Sequence, residues 1–454
     1  MKKLFAVLLS LALALSITSV FAGCSNEDAL RVINFRPEDE AFYTYLNDEF
    51  EKKYGVEVIY ESVSTDAYPN LQQSRLQGNA IDVFGTQVSN IASESLVSYM
   101  APLDDLKASD GGSLWDQIEE EAVSTVTIDG SRYIAPLGDV TIPVYYNKAV
   151  FSKLDPAPAQ RFANGQYPTT WSEMSALLRD LQAMKNRKEI DDVIAFGGME
   201  SWPISMIVNA FEVPCVSAVD PYFYRELALS HEGYDFGHDL YRDNFEKMRE
   251  FVSYIDDRSM GQSYAFAPST FATTQTALMV DGSWSLPAVL TANPDMEIGF
   301  FPMPANDSAE YNIYVPKKAG SGFSIAKSSQ KKDLAAKYIE MHYDPAIYQK
   351  YIDDCCIRPV LKGVEQTNAT AKAMYVFPTK PEAESMWIPG LPGSTPLRSI
   401  AVGFQNGTVS VEDAIKTMND QMNGNAAAWQ KRSSLQPWLD RYFDGVERDE
   451  YAPE

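Results

Sequence analysis

The stretch from Leu30 to Phe84 alternates strand and helix signals, and this constrains the fold more than any other feature of the chain. Leu30-Arg31-Val32-Ile33-Asn34-Phe35 is β-rich and nearly continuous, as a strand covered on both faces would be. Phe42, Leu46 and Phe50 recur every fourth residue, the spacing of an amphipathic helix, and Gly55 stops it. Val56, Val58 and Tyr60 alternate with polar residues and predict a second strand within Gly55–Glu61. A helix pattern spans Tyr68–Gln77 with Gly78 in a C-cap role, and Ile81–Phe84 reads as a third strand before Gly85. Strand, helix, strand, helix, strand is the order of a doubly wound α/β domain.

The start of the chain says where it works. Lys2 and Lys3 precede an apolar run from Leu4 to Val20, which ends in Phe21-Ala22-Gly23-Cys24. A basic start, an apolar middle and a small-residue exit describe a secretory signal peptide over residues 1–23. The cysteine that follows resembles a bacterial lipoprotein signal, with Cys24 as the lipidated residue and residues 24–29 as a lipid-attached linker. Phe21 stands where Leu is usual, so ordinary cleavage is the alternative. Either route places the rest of the chain outside the cytoplasmic membrane.

Removing the signal leaves about 430 residues, enough for two domains of roughly 200 each. The chain is 45% hydrophobic and 12% aromatic, which argues against disorder as a whole. Its net charge of −24 repels phosphates, which argues against a nucleic-acid role. The cysteines are Cys24, Cys215, Cys355 and Cys356, too few for a disulfide scaffold; a bridge from Cys215 to Cys355 or Cys356 stays open. His231, His238 and His342 form no metal-binding motif, and no cofactor is expected.

Further along, Gly130–Asn147 is strand-rich. Thr170-Trp171-Ser172-Glu173 is a capping box opening a helix with Met174, Leu177, Leu178 and Leu181 on one stripe. Ser410-Val411-Glu412-Asp413 opens another, with Val411, Ala414, Ile415, Met418 and Met422 in register. Such stripes are core rather than ligand surface. Ile388–Pro396 is a Pro/Gly loop with Trp387 at its entrance, and Asp440–Glu454 is an acidic tail.

Five windows then occur in order. They are Phe50–Val58 with Ile81–Phe84; Tyr133–Pro136 with Val144–Lys148, Phe151 and Thr170–Glu173; Thr276–Trp284; Gly320–Ile325 with the Lys331–Met341 helix; and Arg358-Pro359-Val360 with Ser410–Met422. Together they resemble the family of extracellular solute-binding proteins that deliver sugars to ATP-driven importers. Ala80-Ile81 stands where the family has a proline.

The resemblance implies an α/β, two-lobe periplasmic-binding-protein-like fold of type II, with ligand trapped between the lobes. Residues 30–140 plus 315–360 would form the N-terminal lobe, and 141–314 plus 361–454 the C-terminal lobe. The chain would cross near Asp139–Tyr145, Tyr314–Lys318 and Arg358–Gly363. The implied partners are a carbohydrate and the permease subunits of an ABC importer, with a monomeric receptor anchored only by its lipid.

Sugar recognition needs flat aromatic faces and a few aimed polar groups. Trp284 follows a strand-like Leu278-Met279-Val280 and a turn at Asp281-Gly282, and in the family the Trp of this motif stacks on sugar. Trp387 and Trp202 are further aromatic candidates, each weighed against a packing role, while Trp171 reads as structural. Arg36 and Glu38 follow the first strand, and Thr86 and Gln87 follow the third, where ligands of open α/β sheets bind. Asp139 sits at the first crossing, as a ligand acceptor or a hinge residue, and Arg398 follows the Pro/Gly loop. Asp82 reads as a backbone tie. The rival classes are a secreted glycoside hydrolase, which needs a carboxylate pair across a cleft, and a sensory lipoprotein that presents ligand to a receptor. No nucleophile elbow, Walker A or dinucleotide fingerprint is present.

Overall fold

A computed structural model describes residues 28–65, 67–87, 94–128, 130–220, 236–381 and 394–424. Cys24, Trp387 and the acidic tail lie outside the described residues, as does the Pro/Gly loop up to residue 393. The strands in chain order begin with β1 (Leu30–Asn34), β2 (Val58–Ser62), β3 (Val83–Gln87), β4 (Thr127–Ile128), β5 (Ser131–Arg132), β6 (Ala135–Pro136) and β7 (Asp139–Thr141). They continue with β8 (Val144–Asn147), β9 (Asp192–Ala195), β10 (Thr276–Val280), β11 (Ile298–Phe301), β12 (Val315–Ala319), β13 (Ser321–Ile325) and β14 (Thr379–Pro381).

The first sheet has the order β2-β1-β3-β13-β6. Its first three strands are parallel, Val32 standing beside Tyr60 and Val83, so the opening segment is doubly wound. The Phe42–Phe50 stripe lies on the helix Glu40–Tyr54, which ends at Gly55 in a left-handed conformation (φ 69°). The second helix occupies Tyr68–Gln77, but Gly78 keeps a right-handed backbone and Asn79 takes the left-handed step (φ 51°). The third strand starts two residues later than expected and runs through Gly85. Gly85 is needed for a close approach, not a stop: a Cβ there would lie 2.4 Å from Asn34 Oδ1.

The second sheet has the order β11-β8-β10-β9. Neighbouring residues of its strands feed different cores, because side chains alternate between faces. Val144, Leu278 and Phe301 belong to a large core with Leu177, Phe211, Phe245 and Phe404. Tyr145, Met279 and Phe300 belong to a smaller core with Phe271, Leu286 and Met374. Thr170 opens the Trp171–Asn186 helix, accepting from the Glu173 amide (3.3 Å). The Glu173 carboxylate reaches back to the Thr169 amide (2.6 Å), one residue earlier than a simple box. Thr170→Ala should lower stability by about 1 kcal/mol, read as a lower urea midpoint at unchanged m-value.

A third sheet, β14-β12-β7, carries the crossings. Lys317 pairs with Thr141 on one side and Pro381 on the other. Leu361 packs in the core of the first sheet with Val364 against it, whereas Ala371 packs in the smaller core of the second sheet. The last change of core therefore falls between Val364 and Ala371, and β14 returns to the crossing sheet. Cys215, Cys355 and Cys356 are buried, free thiols. Asp82 ties backbone, accepting from the Arg31 amide (2.9 Å) and Ser329 Oγ (2.6 Å). The Ser410 helix starts at Val411 with Ser410 and Asp413 bonded reciprocally, and the helix after the Pro/Gly loop already begins at Ser394.

Candidate functional site

Among the described residues one side chain packs against both large cores. Trp284, half-buried, touches the core of the first sheet and that of the second. It is held there by its own turn. Strand β10 ends at Val280, Asp281 and Gly282 follow, and Ser283–Ser285 make one 3-10 turn that leads into the helix Leu286–Ala292. The indole lies back over Gly282, where a Cβ would sit 2.0 Å from the ring. Tyr145 Oη donates to the Gly282 carbonyl (2.7 Å), fixing the turn against β8. Gly282→Ala should therefore push the indole out of place and cost about 1–3 kcal/mol. A lower melting temperature with altered tryptophan emission would report this.

Two more rings join it. Trp202 and Tyr264 lie 4.2 Å apart between centroids, and Trp202 and Trp284 lie 6.4 Å apart. Trp284 Nε1 donates to Tyr264 Oη (2.7 Å). Tyr264 comes from the segment before the helix Phe266–Thr273 and carries no motif, so it is not among the sequence candidates. Glu200 holds that segment: its carboxylate accepts from Ser263 Oγ and from the Tyr264 amide, both at 2.7 Å. Burial opposes ionisation of Glu200, but these bonds and the nearby Arg398 guanidinium outweigh it and lower the pKa.

Glu38 lies in the 3-10 turn Pro37–Asp39 that follows β1. Its side chain is 30% exposed, and Arg36 Nη2 lies 3.7 Å from Oε1. Burial pushes its carboxyl up to about 7; Arg36 opposes the shift, while Asp39 and Asp281 add to it by repulsion. Asp281 is the anchor of the Trp284 turn. It is buried and accepts from the Gly282 amide (2.8 Å) and Ser285 Oγ (2.7 Å). Burial lifts its carboxyl to about 6 against those hydrogen bonds.

The sequence candidates thus divide. Trp284 and Trp202 meet in one cluster, with Glu38 facing it electrostatically through Asp281 and Tyr264. Arg36 is not an exposed loop charge: its side chain is 7% exposed and committed to an ion pair with buried Asp39. Thr86 and Gln87 do not follow β3; they lie within it, because Gly85 continues the strand. Thr86 is buried against Ser324 Oγ (3.0 Å), while Gln87 is half-buried at the strand end. Asp139 is a crossing residue. Its backbone exchanges hydrogen bonds with Arg358, and Lys317 Nζ lies 3.9 Å from its carboxylate. Burial raises that carboxyl to about 6, opposed by Lys317 and reinforced by Glu121. Arg398 Nε donates to the Gly198 carbonyl (2.5 Å), bracing the segment that carries Trp202.

This arrangement has two large α/β cores, two strands, β7 and β12, that carry the chain from one to the other, and an aromatic cluster where the cores meet. Residues 46–378 match the family of bacterial extracellular solute-binding proteins. The chain belongs to that family. It is 26% identical over 226 residues to the "Probable sugar-binding periplasmic protein" of Rhizobium meliloti, a match covering 49% of each chain. It is 22% identical over 369 residues to the "Multiple sugar-binding protein" of Streptococcus mutans serotype c, covering 76% of this chain and 78% of that one. The chain thus spans about half the length of the first relative and 78% of the second. Among solved structures, "SBP RafE in complex with raffinose" has a similar fold, with a TM-score of 0.71 at 15% identity over 87% of this chain and 99% of that one.

Proposed function

We propose that this family member is the capture component of a sugar importer. It would bind a mono- or oligosaccharide between its lobes and hand it to the permease subunits of an ABC transporter as a monomer. The observation that carries the reading is the Trp202–Tyr264–Trp284 cluster at the junction of the two cores. Ring faces suit the C–H faces of a pyranose, and few polar groups are then needed for orientation. Trp284 and Trp202 would supply the faces, and Glu38 and Gln87 the polar contacts. Arg36, Thr86, Asp139 and Arg398 would act by holding other groups in place. The sugar bound to the raffinose complex and the names of both curated relatives support carbohydrate as the solute class.

The lobes would divide as residues 30–140 with 315–364, and 141–314 with the chain beyond Val364, four residues later than expected from sequence because Leu361 and Val364 pack with the first core. Cys24 would carry the lipid. Binding would be without chemistry. Both oxygens of Asp281 and both of Glu200 already accept hydrogen bonds, so neither is a free catalytic acid. Closure would proceed by bending at β7, β12 and the segment between Val364 and Ala371. Small-angle scattering with raffinose and with chitooligosaccharides tests this: the radius of gyration should fall on saturation. A sugar that binds without contraction would refute closure, and a sugar recovered cleaved would refute binding without chemistry.

A further inference from the structure

Trp284, Tyr264, Ser285 and Asp281 form a chain of hydrogen bonds whose direction follows from counting protons. Ser285 has one hydroxyl proton, and its Oγ donates to Asp281 Oδ2 at 2.7 Å. In the 2.7 Å contact between Tyr264 Oη and Ser285 Oγ, Ser285 is therefore the acceptor and Tyr264 the donor. The indole Nε1–H only donates, so Tyr264 Oη accepts from Trp284. The proton order runs from Trp284 to Tyr264 to Ser285 to the Asp281 carboxylate. Asp281 Oδ1 is occupied by the Gly282 amide.

We propose that Asp281 is a positioning residue that sets the direction of this chain, and that the direction decides whether the Tyr264 hydroxyl proton is offered to the cleft. With Asp281 ionised, both the indole N–H and the Tyr264 O–H are consumed. The wall then presents ring faces and no free donor, which selects the C–H face of a sugar over its hydroxyl edge. Once Asp281 carries a proton, that proton goes to Ser285, Ser285 donates to Tyr264, and the Tyr264 proton turns outward. Asp281→Asn imposes the same reversal at every pH. The Gly282 amide holds the Asn oxygen, so the Asn NH2 must face Ser285. This selectivity rests on Trp284 stacking on sugar; the reversal itself does not.

Three other titratable groups face Asp281. Tyr145 and Tyr264 come from its own lobe and Glu38 from the other. Burial and the Asp281 charge raise both tyrosines well above their ordinary value, so they stay neutral throughout. Glu38 titrates in the same range and is removed by Glu38→Gln as a control.

The test is tryptophan emission of the ligand-free mature chain titrated between about pH 5 and pH 8, compared with Trp284→Phe. Wild type should show a transition near 6, the value burial gives Asp281. Glu38→Gln should keep it; Asp281→Asn, Ser285→Ala and Trp284→Phe should lose it. A transition that persists in Asp281→Asn or Ser285→Ala, or is absent in wild type, overturns the proposal. Ser285→Ala breaks the chain while keeping the Asp281 carboxyl, so the test survives if Asp281→Asn does not fold. In a Glu38→Gln background raffinose affinity should also fall about fivefold from about pH 7 to about pH 5, the scale of one unmatched donor turned toward the C–H face, and stay flat when Asp281→Asn is added. Wild type that ignores raffinose counts against the sugar reading alone and leaves the reversal to be decided by emission.

Discussion

Trp284→Ala should weaken binding of the captured sugar by about thirtyfold or more, the scale of about 2 kcal/mol for a central aromatic anchor. The ring is half-buried and is the contact that both large cores share, so its loss removes a stacking face and opens the junction between the lobes. Trp171→Phe is the comparison. Trp171 is buried and packs edge-on against Phe211 (5.7 Å) inside one core, so its truncation should lower stability and leave affinity unchanged. Titration calorimetry on both variants separates the two roles. Equal affinity in Trp284→Ala and wild type would remove Trp284 from the site.

His342→Leu should remove about 2 kcal/mol of acid destabilisation between about pH 7 and about pH 5. The imidazole is fully buried among Phe42, Tyr43, Phe323, Tyr338 and Tyr351, with ring centroids 5.4 to 6.1 Å away. Among the described residues neither of its nitrogens, nor the Tyr43 hydroxyl, has a hydrogen-bond partner. Burial lowers its pKa from 6.5 to about 3. Above about 6.5 the ring is neutral in both folded and unfolded chains and contributes no pH dependence. Between 6.5 and 3 the unfolded chain takes up a proton that the folded chain refuses, so stability falls on acidification by about 1.4 kcal/mol per pH unit. At about pH 5 that is about 2 kcal/mol. Glu38, Asp139 and Asp281 act the other way, because their raised values make the folded chain bind protons more tightly. The difference between wild type and variant isolates the histidine. Between about pH 7 and about pH 5 the change in stability read from urea unfolding should be about 2 kcal/mol less favourable in wild type than in His342→Leu, the three carboxyls contributing alike to both. At neutral pH the variant should be no less stable, since an unpaired buried polar group is removed. Parallel pH profiles for the two proteins would contradict the assignment.

The parts of this molecule that are legible in sequence are those written in short periods. Phe42, Leu46 and Phe50 announce their helix, and the Thr170 box announces the next because a cap is a local bond. Trp284 is legible because a strand, an Asp-Gly turn and an aromatic residue stand together. What is not legible is decided by contacts across the chain. Gly85 looks like a stop and is a close approach to Asn34, so Thr86 and Gln87 move from loop to strand. Arg36 looks free and is enclosed with Asp39 three residues away. Tyr264 meets Trp284 from 20 residues upstream with no pattern to mark it. Strand β14 has three residues, one of them proline, and exists because β12 lies beside it.

The measurement to make first is a thermal-shift screen of the mature chain, from Ser25 onward, against a broad panel of mono- and oligosaccharides. Saturation at about 100 times Kd adds about 2.7 kcal/mol, enough to raise the melting temperature by a few degrees. One sugar class should stabilise wild type, be recovered intact and fail to stabilise Trp284→Ala. No stabilisation by any sugar, or equal stabilisation of Trp284→Ala, would contradict capture of a sugar on the Trp202–Tyr264–Trp284 cluster.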